Sequence, residues 1–88
     1  MIKQEKIKLK NLQEDYQKQE KIVKQKLKEL KKIKKILLND LDYQETIDSK
    51  EYKAKNNEYI KEKRKSVTLY TRFIKYREEL LMKNKQIN

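Results

Sequence analysis

The 88-residue chain is strongly basic: 44% of its residues are Asp, Glu, Lys or Arg, its formal net charge is +11, and only 35% are hydrophobic. It has no Cys, His, Gly or Pro, which excludes disulfides, thiol chemistry, zinc fingers and glycine-rich phosphate loops. No apolar run approaches the roughly 18 residues of a membrane span, so we expect an intracellular protein, cytoplasmic or in the nucleoid or nucleus, without catalytic residues, metal or cofactor.

Apolar residues recur every seven positions in the first part of the chain and predict a coiled-coil helix over about residues 2–41. The seam positions are Ile2, Leu9, Tyr16, Val23, Leu30 and Leu37, and, three or four residues after most of them, Leu12, Leu27, Ile33 and Leu41. This alternation of spacings puts the side chains on one face, which must pack against another helix. Gln19 and Lys26 interrupt the seam, and either set its register or mark places where the helix is not covered.

A connection is expected at about residues 42–48, where helical periodicity fails and Asp, Asn, Ser and Thr concentrate. These side chains compete for backbone hydrogen bonds and favour turns and helix caps. Asp48 and Glu51 have the spacing of a capping box, and Ser49 is a second candidate for the N-cap of the next helix.

The second helix is predicted over about residues 49–85 and carries two adjacent apolar rows. One row is Ile60, Val67, Ile74 and Leu81, with Tyr70 beside it, and the other is Tyr52, Tyr59, Ser66, Phe73, Leu80 and Ile87. Two adjacent rows make a stripe wider than a coiled-coil seam, so this helix needs more than one neighbouring helix.

Together these elements predict an all-α protein with a single domain, residues 1–88, in which two long helices form an antiparallel, coiled-coil-like helical hairpin. Because two helices do not enclose the wide stripe, self-association or a partner helix is expected to complete the bundle. The alternative is one continuous long helix, since neither Gly nor Pro interrupts the chain. In a hairpin, the two basic ends of the chain come together and the weakly acidic centre forms the tip.

Basic side chains on both helices are candidate contacts for nucleic acid. Lysines seven residues apart lie about 10.5 Å apart along a helix and can follow a phosphate backbone. Arginine binds phosphate through two hydrogen bonds, and tyrosine can stack on unpaired bases. The candidates are Lys24, Lys28, Lys31, Lys32, Lys35, Arg64, Lys65, Arg72, Lys75, Tyr76 and Arg77. The alternative is a solvated helix face whose lysines reflect an AT-rich genome.

Apolar side chains on both helices are candidates for a seam that joins the chain to a second copy or to a helical partner. They are Leu9, Leu12, Tyr16, Val23, Leu27, Leu30, Ile33, Leu37, Ile60, Val67, Tyr70, Ile74 and Leu81. Attachment to an anionic membrane surface is the least favoured use of such a stripe, because its apolar face has no Trp and includes Gln19 and Lys26.

Two functions fit these features. The first is a non-catalytic binding module that associates through its seam and binds an anionic partner, nucleic acid before any other, as a small regulatory or RNP-associated protein would. The second is a coiled-coil structural or assembly subunit, or a small protein inhibitor, that acts by protein–protein interaction alone. The first predicts binding that weakens steeply with salt, because each neutralised phosphate releases counterions.

Overall fold

The computed structural model describes residues 2–87 and the side chains of residues 2–84, so Ile87 of the second predicted row lies outside the described side chains. Within this range the chain forms three helices, α1 (Lys3–Leu37), α2 (Tyr43–Asp48) and α3 (Lys50–Ile87). α1 and α3 pack against each other along a rod of 64 × 17 × 14 Å. The predicted all-α helical hairpin is therefore confirmed, and the alternative of one continuous helix is wrong.

α1 ends at Leu37, four residues before the predicted boundary. The amides of Asp40 and Leu41 both turn back to the carbonyl of Leu37, at 3.1 and 2.9 Å. These bonds close the last turn of the helix and satisfy a carbonyl that would otherwise lack a partner. The apolar pattern continues to Leu41, but the turn-forming residues end the helix four residues earlier.

The predicted connection contains a short helix, α2, that sequence reasoning missed. Asp42 begins this helix with a capping box. Its carboxylate accepts a hydrogen bond from the amide of Glu45 at 2.8 Å, and the carboxylate of Glu45 accepts one from the amide of Asp42 at 3.4 Å. Two helix-terminal amides are satisfied by this exchange. Thr46 lies fully buried in α2, so the tip of the hairpin is packed and not a loose loop.

Ser49, one of the two predicted caps of α3, directly precedes that helix. The Ser49 hydroxyl accepts a hydrogen bond from the amide of Tyr52 at 3.2 Å. The other prediction, a capping box of Asp48 with Glu51, is wrong, because the carboxylate of Asp48 accepts from the side chain of Gln44 inside α2 at 2.9 Å. A hydroxyl that satisfies an amide of the first turn is the ordinary role of a serine N-cap.

The interface between α1 and α3 uses the predicted seam of α1. Val23 and Leu30 are buried there, and the other members from Leu9 to Leu37 are half-buried. The second predicted row of α3 packs against this seam: Ser66 and Leu80 are buried, and Tyr52, Tyr59 and Phe73 are half-buried. Aromatic side chains bury more surface than Val or Ile, so the row with three aromatic members is the one that packs inward.

A polar layer crosses the middle of this interface. Gln19 is only 8% exposed, and its Nε2 donates to the carbonyl oxygen of Glu62 at 2.9 Å and to the Glu62 carboxylate at 2.7 Å. One turn away, the hydroxyl of buried Ser66 donates to the carboxylate of Glu20 at 2.7 Å. The break that Gln19 makes in the seam is therefore covered and paired across the helices.

The second break in the seam, Lys26, also reaches across to α3. Its ammonium lies 3.5 Å from the carboxylate of Glu58 and 3.6 Å from that of Glu29. Lys55 completes the group, at 3.6 Å from Glu58 and 4.0 Å from Glu29. Four alternating charges thus join the helices between the polar layer and the tip. The two carboxylates, Glu29 first and then Glu58, hold the pKa of Lys26 above its ordinary value.

Candidate binding surfaces

Cations from both helices line one open groove of about 300 Å³, which we call the basic groove. Its lining residues are Lys8, Leu12, Arg72, Lys75, Tyr76 and Glu79. The Lys8 ammonium lies 4.5 Å from the centre of the Tyr76 ring, a cation–π distance. With three cations and one carboxylate, the groove is net positive. It suits an anionic group that can also lie against the aromatic ring of Tyr76.

The antiparallel pairing of the helices assembles this groove. Lys8 precedes Leu9 of the α1 seam, and Arg72 precedes Phe73 of the inward row of α3. Residues beside a seam lie at the edge of an interface, so the pairing brings these two edges together. Lys8, Arg72 and Lys75 are exposed, and none of them takes part in an ion pair within the described part of the chain.

Three of the predicted nucleic-acid candidates, Arg72, Lys75 and Tyr76, lie together in the basic groove. Lys65 is paired with Glu62 at 3.3 Å. The remaining candidates are all exposed and do not line this groove; they are Lys24, Lys28, Lys31, Lys32, Lys35, Arg64 and Arg77. Four of them, Lys24, Lys28, Lys31 and Lys35, are spaced by four, three and four residues and therefore share one exposed face of α1.

Lys8 is the cation of the basic groove that sequence reasoning missed. It lies more than sixty residues from Arg72 in the chain. Only the register of the pairing shows that the two are neighbours. The signal that could have identified it is its position directly before Leu9, on the edge of the seam that α3 must cover.

α3 keeps its first predicted row on the outside of the hairpin. We call this set the outer row: Ile60, Val67, Tyr70, Ile74 and Leu81. Val67 is 56% exposed, Leu81 52% and Ile60 37%, while Ile74 is half-buried. The predicted seam of the first helix is buried or half-buried from Leu9 to Leu37, whereas Ile2, its first predicted position, is 60% exposed. The outer row is therefore the larger part of the predicted seam that is free to meet another molecule.

The outer row joins α1 through a pair of aromatic rings. The centres of Tyr16 and Tyr70 are 5.1 Å apart and their planes are tilted by 51°, an arrangement favoured by aromatic quadrupoles. Beside them lies a groove of about 180 Å³, which has Glu20, Lys63, Ser66 and Val67 in its lining in addition to the two tyrosines. This groove links the apolar row to the polar layer of the hairpin interface.

The carboxylate of Glu20 is one of two charged groups that line this second groove, with Lys63 as the other. The hydrogen bond from Ser66 lowers the pKa of Glu20, and the Tyr16 hydroxyl and the charges of Lys63 and Lys24 lower it further. The same carboxylate raises the pKa of the Tyr16 hydroxyl. Glu20 therefore stays ionised and is held by groups from both helices.

The described residues contain neither a membrane-spanning helix nor a metal-binding cluster. No helix among them is both long and apolar enough to cross a bilayer. Within the same residues, no three His, Cys, Asp or Glu side chains are grouped so that they could hold a metal ion.

Comparison of the chain with protein-family models, with curated proteins and with solved structures gave no match.

Proposed function

We propose that this protein is a non-catalytic helical-hairpin module that binds nucleic acid through its positive surface, with the basic groove as the principal contact. The observation that supports the proposal is the convergence of Lys8, Arg72 and Lys75 around Tyr76. Arg72 can hold a phosphate through two hydrogen bonds, while the lysines act as mobile point charges. A role as a small regulatory or RNP-associated protein fits such a module.

The length and charge of the rod support contacts beyond the groove. The net charge of +11 is spread over a body 64 Å long. Duplex DNA carries a negative charge for about every 1.7 Å of its axis, so a polyanion lying along the rod meets many cations at once. The groove then fixes where the polyanion lies, and the remaining lysines add affinity that depends strongly on salt.

Fluorescence anisotropy with duplex DNA, duplex RNA and single-stranded RNA across a salt series tests this proposal. We expect binding near physiological salt with a preference for one of the three. The double variant Arg72→Gln/Lys75→Gln should weaken that binding. It should also reduce the slope of log K against log salt by about 2, because two phosphate contacts are lost.

The matched control is Lys50→Gln/Lys53→Gln, which removes the same charge from exposed positions of α3 near the tip. It should weaken binding less than the groove variant does. Equal losses in the two variants would contradict a localised groove. Binding that is absent at about 0.15 M salt for all three nucleic acids would contradict the proposed function as a whole.

A second candidate function is association with another protein through the outer row, as in a coiled-coil assembly subunit or a small protein inhibitor. The observation that favours it is the exposure of Val67 and Leu81, each more than half accessible. A row of exposed aliphatic side chains along one helix is typical of a surface that another helix covers. This function uses a different surface from the basic groove, so one chain can perform both.

A further inference from the structure

The outer row is an apolar ridge with the dimensions of a helix-binding surface. From Ile60 to Leu81 it runs for roughly 32 Å at 1.5 Å per residue. Its members recur at spacings of seven, with Tyr70 three residues after Val67, so they share one face of α3. This inference extends the second candidate function and does not depend on nucleic-acid binding.

Exposed cations border this ridge. Lys63 lies four residues before Val67, and Arg77 lies four residues before Leu81, so each projects from the same side of the helix as the row. Arg64 lies three residues before Val67. All three cations are exposed.

Two carboxylates also lie beside the ridge. Glu20 lines the groove beside Tyr70 together with Lys63. Glu78, which is exposed, lies three residues before Leu81. The ridge is therefore apolar in the middle, and cations outnumber carboxylates at its edges.

The charge pattern disfavours a second copy of this chain as the occupant. A two-fold interface places the same patch on both subunits. The edges formed by Lys63, Arg64 and Arg77 would then meet an equally positive patch across the axis. Like charges brought together at an interface oppose its formation. An occupant with negative edges turns the same groups into favourable pairs.

Nucleic acid is also a poor occupant of this ridge, because aliphatic side chains offer no partner to phosphate oxygens. The basic groove, with three cations and one carboxylate, suits phosphate better. The chemistry that matches Val67, Ile74 and Leu81 is a row of aliphatic side chains at helical spacing. The chemistry that matches the edges is a flank of Asp or Glu.

We propose that the outer row of α3 docks an acidic amphipathic helix of another protein, about six turns long, whose apolar side chains cover the row and whose carboxylates pair with Lys63, Arg64 and Arg77. The partner helix would lie along α3 and turn the hairpin into a three-helix bundle. The Tyr16–Tyr70 pair would form one wall of the bundle near the middle of the contact.

A synthetic peptide of three heptads, with Leu at the seam positions and Glu at the flanking positions, serves as the probe. Its own like charges oppose self-pairing, so it is free to bind. The control peptide keeps every Leu and has Lys in place of Glu. Measured by anisotropy of a labelled peptide, the wild-type hairpin should bind the acidic peptide at least tenfold more tightly than the basic one.

Substitutions within the outer row and at its edges locate the site. Val67→Asp should weaken binding of the acidic peptide at least tenfold, whereas Thr68→Asp, which adds the same charge at the neighbouring exposed position, should change it little. The double variant Lys63→Glu/Arg77→Glu should reverse the preference in favour of the basic peptide. This reversal is a gain of binding and cannot result from unfolding, so it tests the proposal even if Val67→Asp fails to fold.

Three outcomes would overturn the proposal. One is equal binding of both peptides, which would indicate unselective apolar contact. Another is a preference that survives Lys63→Glu/Arg77→Glu. The third is a dimer of the free chain in sedimentation equilibrium that Val67→Asp dissociates, which would make a second copy the occupant. The groove variant Arg72→Gln/Lys75→Gln should still bind the acidic peptide. Nucleic-acid binding and peptide binding can therefore be tested independently, and a negative result for one does not contradict the other.

Discussion

At the scale of single residues, the polar layer is the least expected part of the hairpin. Gln19 and Ser66 occupy seam positions that an ordinary coiled coil fills with aliphatic side chains. Both are buried, and both find partners in glutamates, Glu62 and Glu20 respectively. Because removing one partner of a buried hydrogen bond leaves the other unsatisfied, these pairs favour the register in which all four groups meet.

The ionised state of Glu20 makes the stability of the hairpin depend on pH. The hydrogen bond from Ser66 holds the pKa of Glu20 below its ordinary value of 4.5 in the folded protein. As the pH falls, the unfolded chain therefore binds this proton before the folded one does. The stabilisation is fully present above about pH 4.5 and is lost as the pH falls through the folded pKa. Thermal unfolding followed by circular dichroism should show a steeper loss of Tm on acidification for the wild type than for Glu20→Gln.

The control for this prediction is Glu78→Gln, which removes the same charge from an exposed position of α3. It should keep the wild-type dependence on pH. Identical slopes for the wild type and Glu20→Gln would show that the Ser66–Glu20 bond contributes nothing to the acid sensitivity.

At the scale of the helices, the heptad pattern was enough to predict α1, α3 and their antiparallel pairing. It was not enough to choose between the two rows of α3. Hydrophobicity alone favours the row of Ile60 and Val67, yet the row with Tyr59 and Phe73 packs inward. The choice depends on how large aromatic side chains fit against α1, and that depends on a register set partly by the polar layer. No single-helix pattern contains this information.

The ends of the helices were harder to predict, because turns and caps determine them and the apolar pattern does not. The apolar pattern of α1 continues to Leu41, although the backbone turns after Leu37. The capping box of Asp42 with Glu45 begins a helix of only six residues, too short to show a periodic pattern. Of the residues that line the basic groove, Arg72, Lys75 and Tyr76 were candidates because they lie close together along α3, whereas Lys8 and Leu12 come from the other helix.

The seam of α1 and the outer row of α3 predict different outcomes for the same kind of substitution. Leu30 is buried against α3, so Leu30→Asp places a charge inside the interface and should reduce the free energy of unfolding by about 3 kcal/mol or more. Val67 is exposed in the outer row, so Val67→Asp should change it by roughly 0.5 kcal/mol or less. Urea unfolding followed by circular dichroism measures both. Similar losses in the two variants would mean that the outer row is covered within the hairpin.

At the scale of the whole molecule, repulsion between like charges is the main electrostatic effect. The net charge is +11, and the rod is only 17 × 14 Å across. The Debye length is about 30 Å at 0.01 M salt and about 3 Å at 1 M. At low salt, most charges on the two helices therefore repel each other. At high salt this repulsion is almost completely screened. Self-repulsion of this kind destabilises a compact state.

The Tm of the hairpin should consequently rise with sodium chloride between about 0.01 and 1 M, because screening relieves repulsion between the helices. The variant Lys21→Glu/Lys28→Glu changes two exposed outward positions and lowers the net charge by four, from +11 to +7. It should show a smaller rise. A Tm that falls with salt would mean that attractive pairs such as Lys26–Glu58 outweigh the repulsion.

The two long helices are also joined at the end away from the tip, where the ammonium of Lys83 lies 3.3 Å from the carboxylate of Glu5. A pulling force applied at these two residues would act across the rod and not along it. Such a load peels the helices apart one layer at a time, as a zipper opens, instead of shearing every layer together. Rupture would pass the polar layer, then the charged group of Lys26, and reach the capped tip last. The hairpin would therefore yield at low force from its open end and close again from the tip.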